Sequence, residues 1–118
     1  MRRVVLLSLL VFSFVLFGRP AMAQEPERTI EIHAHRFAFE PASITVHRGE
    51  TVRLRVITED VPHSLMIEPL GINIAASKSH PGEAVFTAVK AGDFVGRCGR
   101  FCGSGHGNMK FVLHVTGD

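Results

Sequence analysis

Short stretches in which apolar and polar residues alternate, separated by turn-forming residues, place the strongest constraint on how this 118-residue chain can fold. The clearest stretch is residues 51–58, where Val52, Leu54 and Val56 are apolar and the residues between them are mostly polar. A period of two residues is typical of a β-strand with one buried and one solvated face. Similar stretches occupy residues 29–39, 44–46, 64–68, 84–89, 94–97 and 110–116, whereas residues 69–82 carry Pro and Gly at both ends and are expected to be irregular.

The number and length of these stretches predict the fold class. Seven or eight short strands, with no convincing amphipathic helix between them, predict an all-β protein, namely an antiparallel β-sandwich or barrel of Greek-key type. In such a fold the loops from different strands gather at one end of the molecule. Residues that are distant in the sequence can therefore contribute to one site.

The N-terminal segment has the pattern of a secretory signal. Two arginines precede an apolar run over residues 4–17, and Ala21-Met22-Ala23 fits the small-residue pattern of a cleavage site. The run is shorter than the roughly 20 apolar residues of a transmembrane helix. We therefore expect residues 1–23 to be a signal peptide and residues 24–118 to form a single domain without a membrane span. That domain is expected in the periplasm or another extracytoplasmic compartment, with an uncleaved anchor as the alternative.

Composition argues against two classes of function. The chain has no Trp or Tyr to stack on bases and no run of basic residues, so nothing favours a nucleic-acid partner. It carries 13 Lys and Arg against 11 Asp and Glu, and three of the arginines lie within residues 1–23, so the domain itself is close to neutral. No paired carboxylates and no nucleophile with an adjacent base stand out, and we do not expect an enzyme.

One short segment contains the residues best suited to hold a metal. Both cysteines of the chain, Cys98 and Cys102, occur there with His106 and Met109, and glycines alternate with them. Two thiols, an imidazole and a thioether form a soft ligand set that suits copper, and suits zinc less well. The glycines allow the backbone to turn tightly and to approach a metal closely. Because disulfides are permitted outside the cytoplasm, a structural Cys98–Cys102 bond is the competing interpretation.

A second segment offers another imidazole. His63 follows Pro62 at the start of a predicted strand, and the fixed backbone of proline restrains the chain just before it. His33 and His35 lie on one side of another strand, where alternating polar residues are expected to face solvent. Of the remaining histidines, His47 is expected in a turn, His80 in a loop and His114 on a solvated strand face. Met66 is expected in the core.

The spacing Cys98-x-x-x-Cys102-x-x-x-His106-x-x-Met109 resembles the CuA loop of cytochrome c oxidase subunit II and of nitrous-oxide reductase. Residues 60–64, Asp-Val-Pro-His-Ser, are similar to the segment that carries the first histidine of that family. The resemblance implies a cupredoxin-like sandwich and a centre of two copper ions bridged by both cysteine thiolates. By position, it implies the following metal ligands: His63, Cys98, the main-chain carbonyl of Arg100, Cys102, His106 and Met109.

The function implied by the resemblance is electron transfer by a secreted or periplasmic copper protein. Its partner would be a redox protein such as a cytochrome, or an oxidase complex. Two alternatives stay open at this point. A mononuclear blue-copper site would use His63, Cys102, His106 and Met109 and would leave Cys98 as a spare thiol. A protein that delivers copper to a terminal oxidase would need the same kinds of ligand.

The residues around the loop add two expectations. Arg100 stands where the family usually carries an acidic residue, so Arg97, Arg100 and Lys110 predict a basic rim around the centre. Such a rim would steer an acidic redox partner. The apolar residues expected to shield the ligands from water are Leu65, Phe94 and Phe101.

Overall fold

The computed structural model describes Gly18 and residues 27–117, so the expected signal peptide and its cleavage site lie outside the described residues, apart from Gly18. This part of the chain contains nine β-strands and two short 3-10 helices, at Glu68–Leu70 and His106–Asn108. The strands are β1 Arg28–His35, β2 Ala38–Glu40, β3 Ser43–His47, β4 Thr51–Thr58, β5 His63–Ile67, β6 Ile72–Ala76, β7 Gly82–Thr87, β8 Gly92–Cys98 and β9 Lys110–Thr116.

The strands form two sheets packed as a sandwich. One sheet has the order β2-β1-β4-β7 and the other the order β3-β9-β8-β5-β6. The predicted all-β sandwich is therefore confirmed. No helix within Gly18 and residues 27–117 has the length and apolar character that crossing a membrane requires.

The core lies between the sheets and is built by the alternation seen in the sequence. In β4 every second residue is buried, and Val52, Leu54 and Val56 are inaccessible to solvent. Phe39 and Phe111 meet edge to face in the same core, with ring centroids 6.3 Å apart. Aromatic rings of this size contribute much of the apolar area that stabilises a small domain.

The pairing of strands differs from the prediction at two places. The sequence favoured an antiparallel sandwich, but β1 pairs in parallel with β4, and β3 pairs in parallel with β9. Alternation decides which face of a strand is buried, because successive side chains point to opposite faces. It carries no information on which strand lies alongside or in which direction, and this is why the two parallel pairs were not predicted.

Two segments of the chain also differ from the sequence analysis. Residues 29–39 read as one strand, yet the chain reverses at Arg36 and Phe37 and forms the β1–β2 hairpin, with His35 opposite Ala38. No Gly, Pro, Asn or Asp marks that turn. The segment expected to be irregular contains β6, whose alternation was obscured by the Pro and Gly residues on either side.

The position of Met66 also differs from the prediction. Met66 is half-buried on the outer face of β5, so its predicted place in the core was wrong.

Candidate metal centre

The candidate site lies where the two predicted ligand segments meet at one end of the five-stranded sheet. His63 is the first residue of β5, and Cys98 is the last residue of the neighbouring strand β8. The N–H of Gly99 donates to the carbonyl of Ser64 over 3.1 Å, which ties the beginning of the loop to β5. His63 and Cys98 are at most 1% exposed. Regular strands therefore fix two of the candidate ligands in a position that excludes water.

All six residues predicted as ligands come together in the structure. The sulfur of Cys98 lies 3.9 Å from Nδ1 of His63 and donates to the carbonyl of Arg100 over 3.0 Å. The sulfur of Cys102 lies 3.8 Å from Nδ1 of His106 and 3.5 Å from the sulfur of Met109. Each thiol thus faces one imidazole nitrogen and one weaker donor. One ring nitrogen of His63 and the sulfurs of Cys98 and Cys102 all lie within 4.8 Å of one another.

This donor set fits copper. Two sulfurs, two imidazole nitrogens and a thioether are the ligands that copper accepts, and both cysteines are free thiols. Burial raises the pKa of the Cys102 thiol, and the adjacent Cys98 thiol raises it further. The thiol of Cys102 therefore holds its proton more tightly than a free thiol does. A metal that binds to this sulfur must displace that proton.

A carboxylate outside the donor set orients His63. The Nε2 atom of His63 lies 2.8 Å from Oδ1 of Asp60, which leaves Nδ1 facing Cys98. Burial alone would raise the pKa of Asp60, but hydrogen bonds from the N–H of Arg36, from His63 and from the N–H of Val61 outweigh it and hold that pKa well below its usual range. Asp60 is thus ionised and accepts a hydrogen bond from the N–H at Nε2, which favours the tautomer that offers Nδ1 to a metal.

The turn between β1 and β2 holds both ligand segments. The backbone N–H of Arg36 donates to Oδ2 of Asp60 over 2.7 Å, and its Nε donates to the carbonyl of Cys102 over 2.9 Å. The ring of Phe37 lies so close to Gly103 and Gly105 that a Cβ on either glycine would collide with it. The sequence analysis missed Arg36, Phe37 and the role of Asp60. The glycines of the loop indicated a close approach but not which residue approaches.

The shielding of the candidate ligands differs from the expectation. Leu65 is buried, whereas Phe94 packs on the core from the opposite half of β8 and Phe101 is 78% exposed. The ring of Phe101 lies 5.8 Å from that of His106, measured between centroids. Phe101 therefore forms part of the outer surface over His106 and does not seal it.

The other histidines take no part in this site. His33 lies 3.0 Å from Glu31, and His35 lies 3.3 Å from Glu40, so each imidazole on β1 faces a carboxylate. Carboxylate and backbone hydrogen bonds raise the pKa of His35, with the carbonyl of Arg36 as the larger cause. His114 pairs with Asp93 in the same way, at 2.6 Å.

The contact between Asp60 and His63 leads to a first prediction. Asp60→Asn removes the charge that fixes the His63 tautomer, so we expect copper affinity to fall by about 10–100-fold. A competition titration against a copper chelator measures this change. The control is Asp93→Asn, which alters an equivalent pair with His114 at the far end of β8. Equal affinities of the two variants would show that Asp60 does not position a ligand.

The chain is similar to proteins of known structure and to one protein family. The chain matches the family described as cytochrome c oxidase subunit II, periplasmic domain, over residues 23–116. A chain of a heme-copper terminal oxidase dimer is 22% identical, with a TM-score of 0.69, over 84% of this chain and 76% of that one. The periplasmic domain of subunit II of cytochrome oxidase (CoxB) from Bradyrhizobium japonicum is 21% identical, with a TM-score of 0.71, over 82% of this chain and 89% of that one.

A third solved structure belongs to a protein outside the oxidases. Auracyanin A, a blue copper protein from Chloroflexus aurantiacus, is 19% identical, with a TM-score of 0.63, over 77% of this chain and all of that one. At these identities the likeness establishes the fold, and it confirms the predicted cupredoxin-like sandwich. The family match supports a copper-binding electron-transfer domain outside the cytoplasm. The chain belongs to the family of cytochrome c oxidase subunit II periplasmic domains.

Proposed function

We propose that this domain carries single electrons through a centre of two copper ions, held by the six residues that the sequence predicted. The observation that carries the proposal is the matched surroundings of the two thiols. Cys98 faces His63 and the carbonyl of Arg100, and Cys102 faces His106 and Met109. Two similar sets of donors would suit two metal ions that share both sulfurs. Copper ions bound there would supply reversible one-electron chemistry.

The protein contributes rigidity and exclusion of water. An electron carrier works best when its ligands move little between oxidation states, because movement of ligands and water raises the barrier. His63 and Met109 are fully buried, and Cys98 and Cys102 are at most 6% exposed. Strand β8, the Asp60 carboxylate and the Arg36 hydrogen bond hold these donors in place. The fold itself therefore holds these donors in position.

The mononuclear alternative accounts for fewer of these contacts. It would place copper between His63, Cys102, His106 and Met109. Auracyanin A, a blue copper protein of similar fold, is a reason to consider this alternative. Cys98 would then be a spare thiol. Its burial and its position against Nδ1 of His63 instead favour a role for Cys98 in the centre. The buried thiols and the pairing of donors therefore favour the binuclear form.

The family and its solved relatives suggest where the domain works. A related chain belongs to a heme-copper terminal oxidase dimer, which favours an oxidase complex or a cytochrome as the partner of this domain. The family is described as a periplasmic domain. Together with the signal-like residues 1–23, this supports export, cleavage after Ala23, and a mature domain of residues 24–118 in the periplasm.

An experiment that separates electron transfer from copper delivery tests the proposal. The copper-loaded domain is mixed with a copper-free acceptor protein, and in parallel with reduced c-type cytochromes in a stopped-flow instrument. Because His63, Cys98, Cys102 and Met109 are buried and the donors come from two segments, we expect copper to remain bound while electrons exchange. Rapid loss of copper to the acceptor, without electron exchange, would assign the domain to copper delivery.

A further inference from the structure

We propose that a cleft beside Cys102 is the docking surface for a redox protein with an acidic face. This inference rests on the proposed electron-transfer function and adds the chemistry of the partner. The cleft has a volume of about 300 Å³, and Cys102 forms part of its lining. Two arginines and three apolar side chains line most of its wall, namely Arg36, Arg100, Val61, Pro62 and Phe101.

The arginines of the cleft differ from others on the described surface. Arg97 pairs with Glu68 at 2.6 Å, Arg28 pairs with Glu50 at 2.8 Å, and Arg53 and Arg55 both pair with Glu83. Within residues 27–117, by contrast, no carboxylate lies within ion-pairing distance of the guanidinium groups of Arg36 and Arg100. Among the described residues, these two positive charges are therefore not neutralised by a carboxylate.

This charge distribution corrects the predicted basic rim. Arg97 was expected to contribute, but Glu68 neutralises it. Arg36, which lies 64 positions before Arg100 in the sequence, takes its place because the β1–β2 turn folds against the loop. The carboxylate of Asp60 lies near the cleft and keeps its negative charge, although it accepts hydrogen bonds from Arg36, Val61 and His63. Two arginines against this one carboxylate leave the cleft with a net positive charge.

The apolar part of the cleft fits a protein partner. Phe101 is 78% exposed beside Arg100, and Val61 and Pro62 are half-buried next to it. Aromatic side chains and arginine are enriched at protein interfaces, where an apolar centre is surrounded by polar groups. A partner with carboxylates around an apolar patch would match this surface in both charge and shape. A small anion would use the arginines but would leave Phe101 uncovered.

The location of the cleft matches its proposed task. Cys102 lines the cleft and is 6% exposed, and the ring of Phe101 lies against that of His106. A protein docked here would thus come within a side chain's thickness of two predicted ligands. Attraction between opposite charges would raise the rate of encounter, and salt would lower that rate by screening.

Stopped-flow electron exchange with the copper-loaded chain tests this proposal. The donors are an acidic c-type cytochrome, a basic c-type cytochrome and the small anion hexacyanoferrate(II), each at low and high ionic strength. The variants are Arg100→Glu and Phe101→Ala. The matched control is Lys90→Glu, because Lys90 is exposed and precedes β8 at the end of that strand opposite Cys98. Copper loading is measured for every variant so that rates are compared at equal metal content.

We expect the acidic cytochrome to react faster than the basic one, by about tenfold or more at low ionic strength, and to slow as salt is added. Arg100→Glu should slow it by about tenfold, against less than about twofold for Lys90→Glu. Phe101→Ala should slow the cytochrome but not hexacyanoferrate(II). A faster basic cytochrome, or equal effects of the two charge reversals, would overturn the proposal. Equal loss with both donors in Phe101→Ala would overturn the apolar contact.

The proposed function and the docking surface fail in different ways. If no donor exchanges electrons with the copper-loaded chain, the electron-transfer function is wrong. Binding of the acidic cytochrome, measured by surface plasmon resonance on the same chain, then still tests the cleft. Binding weakened by Arg100→Glu but not by Lys90→Glu would support docking. Equal binding of both variants would exclude it.

Discussion

Cys98→Ser is expected to abolish the two-copper centre. In the proposed centre both metals depend on both thiolates, so removal of one sulfur should lower the copper content from about two ions per chain to one or none. Atomic absorption and the optical spectrum of the purified variant measure this loss. The variant discriminates between the two copper accounts because the mononuclear site does not use Cys98, whereas both accounts need Cys102.

The loop offers a matched control for this substitution. Ser104 is exposed and lies in the loop between Cys102 and His106. Ser104→Ala therefore changes the loop without changing a donor. Its copper content and spectrum should equal those of the unmodified protein. If Cys98→Ser also kept the copper content and spectrum of the unmodified protein, Cys98 would be excluded from the centre.

Phe111→Ala should cause the largest loss of stability of any change considered. Phe111 is fully buried in β9 and packs edge to face on Phe39, so its removal leaves a cavity in the core. Substitutions of this type cost about 3–5 kcal/mol. The total stability of a small domain is about 5–15 kcal/mol, so much of it would be lost. We expect the thermal midpoint to fall by more than about 10 °C in a circular dichroism melt.

A second phenylalanine controls for the chemistry of this change. Phe101→Ala removes the same side chain from a position that is 78% exposed, so the free energy of unfolding should change by less than about 0.5 kcal/mol. Both melts are recorded on the copper-free protein, which separates packing from metal binding. Similar midpoints for the two variants would contradict the placement of Phe111 in the core.

The sequence contained enough information for the fold class and for the candidate ligands, for two different reasons. Val52, Leu54 and Val56 alternate because one face of β4 is buried, and a pattern of this kind is visible without a structure. The Cys98–Met109 spacing is local, so the sequence already placed most of the sulfur and nitrogen donors on one loop. His63 was predicted through the residues before it, and its Nδ1 lies 3.9 Å from the sulfur of Cys98.

Features that depend on contacts between distant segments could not be predicted. The parallel pairing of β1 with β4 depends on how two strands lie in space. Arg36 reaches Cys102 across 66 positions of sequence, and neither residue type indicates that contact. The same holds for the ion pair between Arg97 and Glu68, which removes one charge from the predicted basic rim. In each case the missing information was tertiary pairing and not local pattern.

The central claim is that two copper ions share both thiolates, and one measurement tests it most directly. The domain of residues 24–118 is loaded with copper, its copper content is determined, and its electron paramagnetic resonance and optical spectra are recorded. We predict about two copper ions per chain, a purple colour, and one unpaired electron whose signal is split by both copper nuclei. One copper ion per chain, with an intense blue band and splitting by a single nucleus, would contradict the account.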